Sequence, residues 1–413
     1  MGEATNIKVN VEDLKIGMYV SNLDRPWLES PFLFQGFILE NESQIEQLKE
    51  TCQYVYVDEL KSFVTLHKSK RRPVENLEQQ VTKDSAVTNA KSPKYETTVP
   101  VEQEIAVAKE VYQDLDGIIS GIMDDVYAGK AVQILSLKQS ISPMIESVIR
   151  NPDALMWVAM LRKQDDYLYN HSLNASMLAV AAGRQIGLSK DELHDLAMGA
   201  MLFDIGKMKL PKELLQKPGA FSKQELLVTR KHVQFGVDIL KDTQDINDNI
   251  LIMVKYHHER HNGSGYPHGL HGTNIPLFAR IAAVVDCYDA ITSVRPYAEP
   301  LSPHEAILKL YEWRDVDFQS EIVEQFIQAI GLYPTGTLVE MTTGQVGVIL
   351  AQNRVRRLKP RVMVLLDENK EAYGTFPVLD LIKDEEDKDG NRLEIKHALE
   401  PGAYGIDPED FYL

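Results

Sequence analysis

Cysteine is scarce. Cys52 and Cys287 are the only two in 413 residues, too few for a disulfide framework, and a chain of this length needs none to build its cores. Long apolar runs are missing as well. No stretch approaches the roughly 18 uninterrupted apolar residues of a membrane span. The opening MGEATNIKVNVEDLKIGMYV has no basic segment followed by an apolar run, so no secretory signal is expected and the cytoplasm is the default compartment. Asn6 stands where N-myristoylation favours Ser or Thr. Positive charge is in deficit: 44 Lys plus Arg face 61 Asp plus Glu, a net charge of −17. That argues against general binding to a nucleic-acid polymer or an anionic membrane. A small anionic ligand stays open, because a metal or a few local cations can invert the field inside a cleft. No short-period repeat is present.

What is there divides by pattern. Residues 1–68 alternate β-like and turn segments. Ile7, Val9 and Val11 alternate; Gly17–Val20 follow; Phe32, Phe34, Phe37 and Ile38 cluster; Ser43–Lys49 reads as a short helix and Tyr54–Val57 as a strand. This is a small α+β domain without chemistry of its own, suited to packing, sensing or docking a signalling partner. Residues 69–99 are polar and read as a linker. Helix dominates from about 101 to 330, with connecting helices in 100–154. The stripe Val107, Val111, Leu115, Ile118, Ile119 and Ile122 is amphipathic and serves either intramolecular packing or a homodimer seam. Gly117 and Gly121 interrupt any heptad there. Pro143 is placed near the start of a helix over Ser142–Val148. Residues 336–413 turn to β pattern, with a hairpin around Thr343–Gly344 and a third strand at Arg361–Leu366.

The candidate chemistry lies in the helical part. His171 sits in Tyr-Asn-His-Ser-Leu-Asn, Asp204 in Met-Leu-Phe-Asp-Ile-Gly-Lys, His232 after Arg230-Lys231, and His257-His258 precede Glu259. Asp286 stands in an otherwise apolar helix. Imidazole and carboxylate are ligands for Fe, Mn and Zn. A carboxylate among apolar neighbours needs compensation, which a cation supplies. Adjacent histidines either bind one ion or straddle two. For a single helical histidine the plainer alternative is an ordinary polar group.

The run His257-His258-Glu259-Arg260-His261-Asn262-Gly263-Ser264-Gly265-Tyr266-Pro267, followed by Gly269-Leu270, Gly272, Ile275-Pro276, Ala279-Arg280, Asp286, Asp289-Ala290, Thr292-Ser293 and Arg295-Pro296-Tyr297, resembles the HD-GYP family over residues 155–335. The first 68 residues resemble the small domain of unassigned function that precedes some members, and the tail resembles a β extension found after some. The resemblance implies a mainly α protein, a helical bundle of the HD superfamily flanked by a small α+β domain and a small β-rich extension. It implies two metal ions, with iron or manganese the usual candidates. It implies cyclic di-GMP as substrate, opened to pGpG through a metal-activated water. The implied ligands are His171, Asp204 as bridge, His232, His257, His258 and Asp286. Lys207 is implied as a phosphate contact or leaving-group helper and Arg295 as a phosphate clamp. Gly265, Tyr266 and Pro267 are implied to shape the loop and its contacts with substrate.

The pattern departs at the pair that names the family: Phe203-Asp204 replaces His-Asp, removing one ligand of the first metal. Asn262 replaces an acidic residue, Ala298 a basic one, and Tyr167 the Glu of three-metal members. Two readings follow. One is a phosphodiesterase of reduced or altered activity. The other is a catalytically silent cyclic di-GMP receptor or docking regulator.

Overall fold

The computed structural model describes residues 6–24, 37–39, 42–58, 93–130, 132, 134–161, 167–217, 219, 221–293, 300–384, 386, 390 and 392–406. The chain forms two compact units.

The N-terminal unit is built on an antiparallel sheet of β1 (Asn6–Asn10), β2 (Tyr19–Leu23), β3 (Phe37–Ile38) and β4 (Tyr54–Asp58), in the order β1-β4-β2-β3. Helix α1 (Glu42–Thr51) precedes β4. Val20, Leu23, Leu39, Leu48, Val55 and Val57 form its core. The alternation of residues 7–11 ends sooner than expected, because Val11 already belongs to a 3-10 turn. Phe32 and Phe34 lie outside the described residues.

The second unit begins where composition suggests a linker. Residues 93–99 lie against the helices: Tyr95 donates to the Leu188 carbonyl, Thr98 N to Arg150 O, and Asn151 Nδ2 to Val99 O. Helix α2 (Val101–Tyr127) runs unbroken through Gly117 and Gly121. Its buried face includes Val111, Leu115, Ile119 and Ile122, while Val107 is 41% exposed. The stripe is therefore consumed within the chain, against α3 (Ile134–Arg150), α4 (Pro152–Met160) and α5 (Tyr167–Ile186). Pro143 lies mid-way along α3 rather than at its start. The buried series Ile134, Leu137, Ile141, Met144, Ile145 and Val148 spans it, and the ring is on the exposed side, where water can serve the carbonyl that loses its N–H partner. Asn151 caps α4, accepting from Asp153 N at 2.9 Å, with Pro152 in the first turn.

Helix α6 (Lys190–Leu202) opens on a capping box between Ser189 and Glu192. A 3-10 segment (Ile205–Lys209), α7 (Lys212–Leu215), α8 (Lys223–Thr229), α9 (His232–Leu240), α10 (Asp248–Tyr256), α11 (Leu277–Thr292), α12 (Pro303–Glu312) and α13 (Ser320–Ile330) follow. The extension is a five-stranded antiparallel sheet of β5 (Leu338–Met341), β6 (Val346–Ala351), β7 (Arg361–Leu366), β8 (Val378–Asp380) and β9 (Ile395–Ala398), ordered β8-β7-β6-β5-β9. It is pinned to the helices. Buried Asp153 accepts from Gln352 N at 2.9 Å and from Arg354 at 2.6 Å, and Arg361 pairs with Glu102. Among the described residues no helix is long and apolar enough to cross a membrane.

Candidate metal centre

Five elements converge on one buried cluster. His171 comes from the first half of α5, Asp204 from the junction between α6 and the 3-10 segment, and His232 from the first position of α9. His257 and His258 follow the last turn of α10, and Asp286 is inside α11. Gly206 sets the approach of α9. A Cβ there would lie 1.9 Å from the His232 carbonyl oxygen and 2.4 Å from Gly236 N, so only glycine lets α9 close on the 3-10 segment.

The ligand atoms fall into two sets that share Asp204. One is Asp204, His232, His257 and His258; the other is His171, Asp204 and Asp286. In the first, Asp204 Oδ1 lies 3.3 Å from His232 Nε2 and 3.7 Å from His257 Nε2. In the second, His171 Nε2 lies 3.3 Å from Asp204 Oδ2 and 3.2 Å from Asp286 Oδ1. His258 Nδ1 is 3.6 Å from Asp286 Oδ2, joining the sets at a second point.

Proton counting shows what this arrangement suits. The Nδ1 atoms of His232 and His257 face only carbonyl oxygens, Thr229 O at 2.7 Å and Met253 and Val254 O at 3.1 Å. Carbonyls cannot donate, so Nδ1 carries the proton in both rings. A neutral ring then presents a bare lone pair at Nε2, and the two Nε2 atoms face each other at 3.4 Å beside Asp204 Oδ1. Burial pushes His232 down to about 4 and holds His258 well below the ordinary imidazole range, a shift to which neighbouring His257 adds. His232 and His258 are therefore neutral at physiological pH. The His232 Nε2 lone pair meets the Asp204 carboxylate there, and Asp204 Oδ1 has no hydrogen-bond donor among the described residues. A divalent cation fits that donor set.

The carboxylates are held ionised. Burial alone would raise both. At Asp204 the Lys207 ammonium outweighs it and holds the carboxyl well below the usual carboxylate range, and Asp286 lies well below that range too. Lys207, at 16% side-chain exposure, makes an ion pair with Asp204 Oδ2. The implied phosphate-binding ammonium is thus directed at the shared ligand itself.

Phe203 is fully buried against the cluster. Its ring stacks on His257 at 4.7 Å and meets His171 edge-on at 5.5 Å. It contributes no ligand atom to either set.

The loop after His258 is braced from beneath. Buried Glu259 accepts from His268 N at 2.8 Å and Leu270 N at 2.9 Å. Asn262 accepts from Ser264 N, keeping a structural hydrogen bond despite its lost charge. A Cβ at Gly265 would meet backbone atoms of Arg260, Glu259 and His258 at 2.4–2.5 Å. Tyr266 N donates to His258 O, its ring stacks on His258 at 4.6 Å, and the Tyr266–Pro267 bond is cis. Arg295 and Ala298 lie outside the described residues, as does the Tyr167 side chain.

Two contributors escape a reading by composition. Asp289 Oδ2 lies 2.7 Å from His171 Nδ1, which turns the Nε2 lone pair toward Asp204 and Asp286. Its signal was present, since it stands one turn beyond Asp286 in the same apolar helix. Glu259 is the other, and only the fold reveals its brace. Asp289→Asn keeps the shape but loses the charge that makes His171 a stronger ligand. About tenfold weaker metal binding is expected from such an outer-shell change, and a metal titration giving the wild-type affinity would oppose it.

Residues 6–136 match a domain of unknown function, DUF3391, and residues 156–322 match the HD domain model. A cyclic di-GMP phosphodiesterase of Pseudomonas aeruginosa is 31% identical over 378 residues, 91% of this chain and 88% of its own length. The chain belongs to the HD-GYP family. The chain also matches the cyclic di-GMP phosphodiesterase response regulator RpfG of Xanthomonas campestris, at 39% identity over 155 residues, 37% of this chain and 41% of that protein. A solved HDG"Y"P protein from Bdellovibrio bacteriovorus aligns over 78% of this chain and 97% of its own with a TM-score of 0.46 at 16% identity.

Proposed function

We propose that this HD-GYP chain is a metal-dependent phosphodiesterase that opens cyclic di-GMP to pGpG, with iron or manganese in two unequal positions. The observation that carries the reading is the pair of ligand sets sharing Asp204, four residues on one side and three on the other. When bound, such ions would offset the charge of a phosphodiester and lower the pKa of a water. The chain's own residues do the rest. His232 and His257 hold their ligand nitrogens toward Asp204 through fixed Nδ1 protons. Asp289 orients His171. Lys207 is the mobile cation of the site, released to a phosphate oxygen when another cation satisfies Asp204. Phe203 leaves the His171–Asp204–Asp286 position one ligand short and keeps water from that wall.

That shortfall also supports a second reading, a cyclic di-GMP receptor without turnover. Anaerobic assay of the full-length chain, loaded with Fe or Mn and with metal content measured on the same sample, separates them. Formation of pGpG is expected. Saturable nucleotide binding with no pGpG from a loaded, folded chain would replace the enzyme by the receptor.

A further inference from the structure

Arg230 sits in the tight turn between α8 and α9, two residues before the ligand His232. The turn is fixed at both ends: Lys231 N donates to Val228 O at 3.1 Å, and His232 Nδ1 is 2.7 Å from Thr229 O. The Arg230 side chain is exposed, and its guanidinium lies over the Tyr266 ring at 4.7 Å. Tyr266 in turn stacks on His258 at 4.6 Å. The guanidinium is therefore one aromatic ring removed from the metal cluster, carried by the loop that frames it.

In a chain with net charge −17, other arginines among the described residues are committed. Arg150 pairs with Glu104, Arg354 with Asp153 and Arg361 with Glu102, while Arg260 and Arg314 donate to backbone carbonyls. Arg230 has no carboxylate or carbonyl partner among the described residues and lies against the tyrosine face. Stacking occupies the π face of a guanidinium and leaves its in-plane N–H fork for a planar or tetrahedral oxyanion. Lys207 is already paired with Asp204. Among the described residues, Arg230 is thus a cation available at the mouth of the cluster.

We propose that Arg230 binds the second phosphodiester of a cyclic dinucleotide whose first phosphodiester is at the His/Asp cluster. This rests on the phosphodiesterase or receptor reading above. A cyclic dinucleotide holds two phosphodiesters in one ring, so seating one at the metals brings the other close by. The guanidinium, parked on Tyr266, is the group poised for it. Arg230 then sets affinity for the cyclic dinucleotide and takes no part in bond breaking.

The test is calorimetric binding of cyclic di-GMP to the full-length, Mn-loaded chain, with steady-state kinetics on the same samples. Arg230→Ala is expected to weaken binding roughly tenfold to a hundredfold, the worth of a charge-assisted contact. KM should rise by much more than kcat falls, at unchanged metal content. Arg230→Lys, which keeps the charge but not the fork, should fall between. Wild-type affinity in Arg230→Ala, or loss of metal along with affinity, would overturn the assignment. A wild-type chain that binds no cyclic dinucleotide when metal-loaded would instead bring down the proposed function, and this inference with it.

Discussion

Asp204→Ala should strip both ligand sets at once and lower phosphodiester turnover by a factor on the order of 10² to 10⁴. Losing one outer-shell partner already costs about ten- to a hundredfold in metal affinity. A ligand shared by two positions incurs a penalty of at least that size twice. Asp204 is 3% exposed, one of its oxygens faces His232 and His257, and the other faces His171. Alanine leaves three lone-pair donors without the anion that draws a cation among them. Lys207 loses its partner, but its ammonium is near enough to solvent to turn outward, so the fold should survive. Atomic-emission analysis of purified protein should find metal reduced at both positions while the far-ultraviolet dichroism is retained. Full metal content with undiminished hydrolysis in this variant would remove the cluster from the chemistry.

Phe203→His is expected to act in the opposite direction. The phenyl ring stands against both His171 and His257, so an imidazole there brings a nitrogen to the edge of the three-ligand set. Metal affinity at that position should improve about ten- to a hundredfold, with turnover rising in parallel. The same change has a cost without metal. A fully buried apolar ring becomes a ring with two polar atoms, and unsatisfied buried groups cost about 1–3 kcal/mol each. Phe203→His should therefore melt below wild type after chelation and recover on loading, since a ligand that binds only the folded state stabilises it. Phe203→Leu, which adds no donor, should not show the metal-dependent recovery. An unaltered metal stoichiometry and affinity in Phe203→His would mean that residue 203 does not limit the site.

Much of this was readable because local signals agree with one another. The strand expected at Tyr54–Val57 and the one expected at Arg361–Leu366 both form where their β pattern puts them. The six residues that the family resemblance implies as ligands lie in one cluster. Pro143 misled because a proline reads as a helix start, whereas a continuous buried stripe on either side holds it inside α3. Val107 misled because a stripe chosen by residue type alone passes over Glu104. That carboxylate is buried on the same face, accepting from Ser147 at 2.7 Å and paired with Arg150. The pairing of His171 with Asp289, and of Tyr266 with Arg230, joins residues on different elements. No periodicity within one segment encodes such contacts.

The clamp between the helices and the C-terminal sheet bears on how the chain is made. Glu102 opens α2, yet its partner Arg361 lies 259 residues later, and Asp153 awaits Arg354, 201 residues on. At about 5–20 residues per second, α2 leaves the ribosome on the order of tens of seconds before the strand that fixes it. Throughout that interval Asp153 is a carboxylate at a helix start without its guanidinium. These two ion pairs therefore close only after β6 and β7 have been made.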